Sequence, residues 1–224
     1  MIIVVGAEKG GVGKTALATN IAAIAAGEGL EVLLLDTDTN GSSSAWIRIR
    51  NEEGVEPNIP LLTVSENPQN ELRQLATKYD LIIVDIGANN YSTMLNSAKV
   101  ADMVLVPTGP DQMEVESTFN TFEELRAMDA KHKNGRVPAF VVLNQLSTNN
   151  KSKEEGLLRE YLGQEGLPVF ESALRHRSSW RNARRGGLAV HELRGREADP
   201  KAAAEMKAIF AEAENKAAEA LAAA

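Results

Sequence analysis

Residues 1–15, MIIVVGAEKGGVGKT, restrict what this chain can fold into more than any other stretch. Residues 2–5 are an apolar, β-branched run without polar alternation, the pattern of a strand buried on both faces. Residues 6–13 then hold four glycines in eight positions, and Lys14-Thr15 open a helical pattern that runs to about residue 26, closed by Gly27 and Gly29. Strand, glycine-rich loop and helix form a unit that cradles phosphates. The glycines let successive backbone N–H groups point into one hollow, a nest for an anion, and the helix start adds partial positive charge. Lys14 is placed to reach the β- and γ-phosphates of a nucleotide, and the Thr15 hydroxyl to reach Mg²⁺.

The loop departs from the generic pattern at one place. A glycine belongs six residues before Lys14, and Glu8 stands there; instead the run is Lys9-Gly10-Gly11-Val12-Gly13-Lys14-Thr15, with two lysines. This resembles the deviant Walker A motif of the ParA/MinD family of ATPases, and the likeness covers essentially the whole chain. It implies ATP or ADP held by Gly10, Gly11, Val12, Gly13, Lys14, Thr15 and Ala16, with Mg²⁺. It also implies a homodimer formed on ATP binding, in which Lys9 crosses the interface to the phosphates of the other subunit's ATP and acts with Lys14 and Asp38 in catalysis. The alternative is a glycine turn carrying two solvated lysines.

Carboxylates fall where such a loop needs them. Residues 32–35 read as a second buried strand that runs into Asp36-Thr37-Asp38-Thr39-Asn40-Gly41-Ser42. Carboxylates at the end of a parallel strand stand at the mouth of the sheet, where ligands bind. Asp36 and Asp38 alternate, so only one of them need face the nucleotide. The resemblance implies that Asp38 activates the attacking water and that Asp36 belongs to the magnesium shell; a capping Asx turn is the alternative for either. Thr39 and Asn40 stand where the family has Pro-Gln. Trp46 reads as a packing residue. Residues 79–84 form an apolar strand ending at Asp85, a Walker B pattern in which Asp85 holds Mg²⁺ with Thr15. The family often continues with Pro-Pro, whereas here residues 86–90 read Ile-Gly-Ala-Asn-Asn, with Asn89 and Asn90 as loop residues.

Between and beyond these lie a polar loop (51–60), a strand at 61–64 and helices at 70–78 and 94–100. A strand at 103–106 is stopped by Pro107-Thr108-Gly109-Pro110. An amphipathic helix spans about 113–131, with Phe119, Phe122, Leu125 and Met128 toward the core. The next strand, 139–143, ends at Asn144; a helix at 151–162, a short strand at 168–170 and a docked helix at 200–224 complete the pattern. The resemblance implies that Asn144 hydrogen-bonds the adenine base and that Pro107 and Pro110 also lie beside the nucleotide; a strand-end cap is the alternative for Asn144. Six or seven strands alternating with helices imply an α/β fold, a single P-loop domain over residues 1–224. Its sheet is mostly parallel, twisted and covered by helices on both faces. No N-terminal helix-turn-helix is expected.

The absence of cysteine removes disulfides, thiolate metal sites and the cysteine-ligated clusters of the family's iron–sulfur members. No apolar stretch approaches the ~20 residues of a membrane span, and the first residues already form a core strand, so a cytoplasmic protein is expected. The net charge of −7 speaks against nucleic acid when taken alone. Its distribution speaks differently. Residues 174–196 hold seven arginines against Glu192, a local +6 that leaves −13 on the rest. Such asymmetry points to a polyanion partner.

The segment also resembles the C-terminal region of ParA proteins, where basic residues bind double-stranded DNA without sequence preference once ATP has joined two subunits. Arg175, Arg177, Arg181, Arg184 and Arg185 are the candidates, and a solvated face pairing with the acidic remainder is the alternative. The resemblance thus implies a nucleoid-associated ATPase. A ParB-like or cargo-adaptor protein would stimulate it to position a plasmid, chromosome region or protein compartment. Two other readings compete: a MinD-like membrane-associated ATPase, disfavoured by the Ala-rich tail, and a metabolic P-loop enzyme, which has no need of Lys9.

Overall fold

The computed structural model describes residues 1–38, 41–64, 67–87, 90–149 and 151–222. Among these, strands and helices alternate as β1 (Ile2–Val5), α1 (Lys14–Gly27), β2 (Val32–Asp36), α2 (Ser42–Glu52), β3 (Leu61–Thr63), α3 (Gln69–Leu75), β4 (Leu81–Asp85), α4 (Tyr91–Ala98), β5 (Met103–Thr108), α5 (Gln112–Ala127), β6 (Ala139–Leu146), α6 (Glu154–Gln164), β7 (Val169–Arg175), α7 (Ser179–Arg185) and α8 (Pro200–Ala222). They build one sheet of order β3-β2-β4-β1-β5-β6-β7, parallel at each junction. Parallel neighbours require crossovers, and the crossover helices cover both faces of the sheet.

Strand alternation divides the core in two. Ile3, Val5, Leu34 and Ile83 point to the face covered by α1, α2, α7 and α8. Ile2, Val4, Leu35 and Val84 point to the face covered by α3, α4, α5 and α6. The alanines of α1 let that helix lie close to the sheet, with Ala18, Ala22, Ala23 and Ala25 fully buried. Met206, Ile209 and Phe210 of α8 close the same layer, so the tail is docked as expected. Trp46 is buried in the packing role expected of it.

Register assembles the site. Val5 pairs with Asp85, and Asp36 pairs with Asp85, so the phosphate loop and both strand-end carboxylates emerge side by side.

Three elements run further than their sequence implies. Pro107 does not stop β5: the strand passes through it to Thr108, with Pro107 opposite Val142. The Leu105 carbonyl faces β1, where it accepts from Gly6 N; by alternation the donor-less Pro107 nitrogen faces that side too, past the end of β1, and breaks no ladder. β6 continues through Asn144 to Leu146, so Asn144 is not a strand-end cap. β7 extends to Arg175 rather than ending near Phe170. The helix after β5 stops earlier than expected, at Ala127, and a 3-10 turn, Asp129–Lys131, takes up the rest.

Candidate nucleotide site

The acidic end of the site is tightly bonded. Asp85 is buried, and its Oδ2 accepts from Thr15 Oγ1 at 2.8 Å and from Ser43 Oγ at 2.7 Å. Its other oxygen, Oδ1, is buried without a hydrogen-bond partner. Burial pushes the Asp85 carboxyl up to about 6; the two hydroxyls and Lys14 pull it down, and the neighbouring Asp36 pushes it further up. Lys14 is also buried. Its ammonium donates to the Lys9 carbonyl at 2.9 Å, and desolvation lowers its pKa against the attraction of Asp85.

Asp36 has become a cap. Its Oδ1 accepts from Asp38 N at 3.0 Å, an Asx turn, and its Oδ2 accepts from Ser44 N at 2.9 Å and Ser44 Oγ at 2.8 Å, at the start of α2. The Asx alternative therefore describes Asp36, and both of its oxygens are engaged. Asp38 borders the same cavity as Lys14, Thr15 and Asp85. Thr39, Asn40 and Asn89 lie outside the described residues, while Asn90 ties the two strand ends together by donating to the Thr37 carbonyl.

An unpartnered buried carboxylate oxygen beside a threonine hydroxyl suits a hard divalent cation, because Mg²⁺ takes one or two carboxylates and completes its shell with water and phosphate oxygens. Among the described residues no group of three or more acidic, histidine or cysteine ligands exists, so an all-protein cage is not what these residues form.

The loop is also held from β6, two strands from β1 in the sheet. Asn144 Nδ2 donates to the Val12 carbonyl at 2.7 Å, and Gln145 Nε2 donates to the Gly11 carbonyl at 2.7 Å. Gln145 takes a positive φ of 57° to do so, an uncommon conformation for a side-chain-bearing residue. Gly13 has φ 95°, and a Cβ there would meet Asn144 Nδ2 at 2.1 Å, so both the turn and the close approach demand glycine. Ser43, Gln145 and the tryptophans described next have no signal in the sequence that marks them as site residues.

Beside the acidic cavity lies a second one of about 260 Å³, lined by Thr19, Trp46, Asn144, Leu174, Trp180 and Leu188 among others. Glycines of the loop, Thr15, Ala16 and Arg184 border both. Pro107 and Pro110 are not brought to either; Pro110 borders a separate groove between α5 and α6.

The five candidate arginines of the basic segment divide. Arg175 donates to Glu155 at 2.9 Å and Arg177 to Glu205 at 2.6 Å, so these two pair within the chain instead of facing outward. Arg181, Arg184 and Arg185 on α7 are exposed, and no acid pairs with them among the described residues. Glu192, the lone acid of the segment, is held by Arg50 through two hydrogen bonds of 2.8 Å. Arg50 is fully buried, also donates to the carbonyls of Pro57 and Gly187, and stacks on Trp46. Gly187, at φ 63°, lies so close that a Cβ would stand 2.3 Å from Arg50 N.

A parallel sheet with a glycine-rich loop, Lys14-Thr15 and strand-end carboxylates at its carboxyl edge defines a P-loop nucleotide-binding domain. Residues 3–189 match the CobQ/CobB/MinD/ParA nucleotide binding domain, and the chain belongs to that family. It is similar to the maintenance of carboxysome distribution protein A of Halothiobacillus neapolitanus, 28% identical over 194 residues that cover 85% of this chain and 87% of that protein. It is also similar to the protein ParA of Rhizobium radiobacter, 27% identical over 218 residues, 94% of each. Its fold is shared with the Pyrococcus furiosus cell division ATPase MinD, with TM-score 0.71 and 18% identity over 96% of this chain and 98% of that one. A Cyanothece McdA variant in complex with ATP shares it too, with TM-score 0.70 and 15% identity over 95% of each.

Proposed function

We propose that this protein is a Mg²⁺-dependent ATPase that dimerises on ATP and holds DNA without sequence preference in that state. A ParB-like or adaptor protein then stimulates hydrolysis, which positions a cargo. The observation that carries the reading is Lys9. No acid or acceptor holds its ammonium among the described residues, although its carbonyl is the acceptor of the Lys14 ammonium, beside the carboxylates of Asp36 and Asp85, which are hydrogen-bonded within the chain. A cation left over at a phosphate site is suited to a phosphate of the second subunit.

ATP would lie with its base in the tryptophan-walled cavity near Asn144 and its phosphates on the loop. Lys14 would exchange the Lys9 carbonyl for phosphate oxygens, and Asp38 would orient the attacking water. Thr15 and Asp85 would hold Mg²⁺, which neutralises charge on the β- and γ-oxygens. Asp36 acts indirectly, by fixing the start of α2. Arg181 and Arg185 supply the DNA face, doubled by dimerisation. The relatives' names point to a protein compartment or a DNA element as cargo.

The test is DNA co-sedimentation in ATP against ADP at two salt concentrations. Binding in ATP alone is expected, falling steeply with salt as phosphate contacts require. Lys9→Ala is expected to abolish it, whereas an Arg181/Arg185 double alanine variant loses DNA yet still dimerises. Equal retention of DNA in ADP overturns the reading.

A further inference from the structure

We infer that Arg184 is a nucleotide-binding residue that grips the α-phosphate within its own subunit, rather than a DNA contact; the inference rests on the ATP reading above. The two cavities meet along Gly11, Gly13, Thr15, Ala16 and Arg184. One is walled by Trp46, Leu174, Trp180 and Leu188 and suits a base and ribose; the other holds Lys14, Asp38 and Asp85 and suits the terminal phosphates. A nucleoside triphosphate that occupies both has to cross the junction with its α-phosphate. Of the residues on that junction, Arg184 alone comes from outside the loop and α1. It is exposed, and no acid pairs with it among the described residues. A guanidinium offers planar, paired donors that fit phosphate oxygens.

The side chain is also delivered by a fixed element. Ser179 Oγ donates to Asp199 at 2.8 Å and Trp180 Nε1 to the Arg175 carbonyl at 2.9 Å, which hold the start of α7. Trp46 Nε1 donates to the Leu188 carbonyl at 3.1 Å, and Asn20 Oδ1 accepts from Val190 N at 2.7 Å, which hold the segment that follows. A helix pinned at both ends gives a contact that costs little ordering on binding.

An α-phosphate is common to ATP and ADP, so the grip is uniform: it affects affinity for both and leaves the chemical step alone. Arg184→Ala is expected to raise the Kd for Mg-ATP and Mg-ADP alike by about tenfold, the worth of one charge-assisted hydrogen bond, as measured by calorimetric titration. KM rises in step while kcat holds, Arg184→Lys recovers part of the affinity, and DNA co-sedimentation persists at saturating ATP. Unchanged affinity for both nucleotides, or a loss confined to ATP, overturns the inference. Failure of the unsubstituted chain to bind either nucleotide would instead overturn the ATP reading beneath it.

Discussion

The two ends of the nucleotide cleft are built by opposite means. At the acidic end, β1, β2 and β4 finish in register, and each polar group is already engaged: Thr15 and Ser43 on Asp85, Lys14 on the Lys9 carbonyl, and Asp36 on Asp38 N and Ser44, by hydrogen bonds of 2.7 to 3.0 Å. At the basic end, α7 carries the exposed Arg181, Arg184 and Arg185, with Arg184 at the junction of the two cavities, and its order comes from beneath, through Trp46, Trp180 and the Arg50–Glu192 pair. The acidic end thus carries polar groups fixed in advance by one another's backbone and hydroxyls, and the basic end carries cations left free for an anion. The two ends share one strut. α2 starts on the Asp36 cap and, through Arg50, reaches Glu192 and the Gly187 carbonyl just past α7.

That strut is the place to break the comparison most severely. Arg50→Ala takes the guanidinium from the carbonyls of Pro57 and Gly187 and from Glu192, which keeps only the Ala189 N–H, and urea unfolding is expected to show a loss of about 3–5 kcal/mol. Arg48→Ala, two residues away on the same helix, removes an exposed pair with Glu52 and is expected to cost under about 0.5 kcal/mol. Equal losses would mean that the buried pair carries no special load.

Asp85→Asn sharpens the acidic end next. It removes the carboxylate proposed to hold Mg²⁺, and turnover is expected to fall about a hundredfold. It also removes a buried charge that the ligand-free fold tolerates poorly. The Asp85 carboxyl is raised from 3.8 to about 6. Its protonated form therefore favours the fold: the stability it lends is fully present below pH 3.8 and lost as pH rises through about 6. Without metal or nucleotide, the thermal midpoint of the unsubstituted protein is expected to drop across that window. The asparagine variant should not share the drop and should be the more stable at neutral pH, by on the order of 2 kcal/mol. Parallel pH profiles for the two proteins would contradict the assignment.

The same contrast explains what could be read beforehand. The acidic end was legible because its parts are local: a β-branched strand, a glycine loop, Lys14-Thr15 and carboxylates at two strand ends, each a pattern within a few residues. The parallel sheet followed from the same periodicity. What escaped is long-range. Arg50 and Glu192 lie 142 positions apart, and nothing near Arg50 marks it as buried. Ser43 looks like one more loop serine until α2 turns it onto Asp85. Pro107 reads as a breaker because strand order, which places its missing donor beyond β1, is not written locally. Arg175 and Arg177 resemble their exposed neighbours in sequence, and only the approach of α6 and α8 pairs them with Glu155 and Glu205.

On the reading proposed above, ATP joins two copies of this chain through Lys9. Sedimentation velocity in Mg-ATP tests it most directly, with Asp38→Ala used to slow hydrolysis. A species of twice the chain's mass is expected in ATP, a single chain in ADP, and a single chain in both when Lys9→Ala is added. A single chain in saturating ATP with Lys9 intact would contradict it.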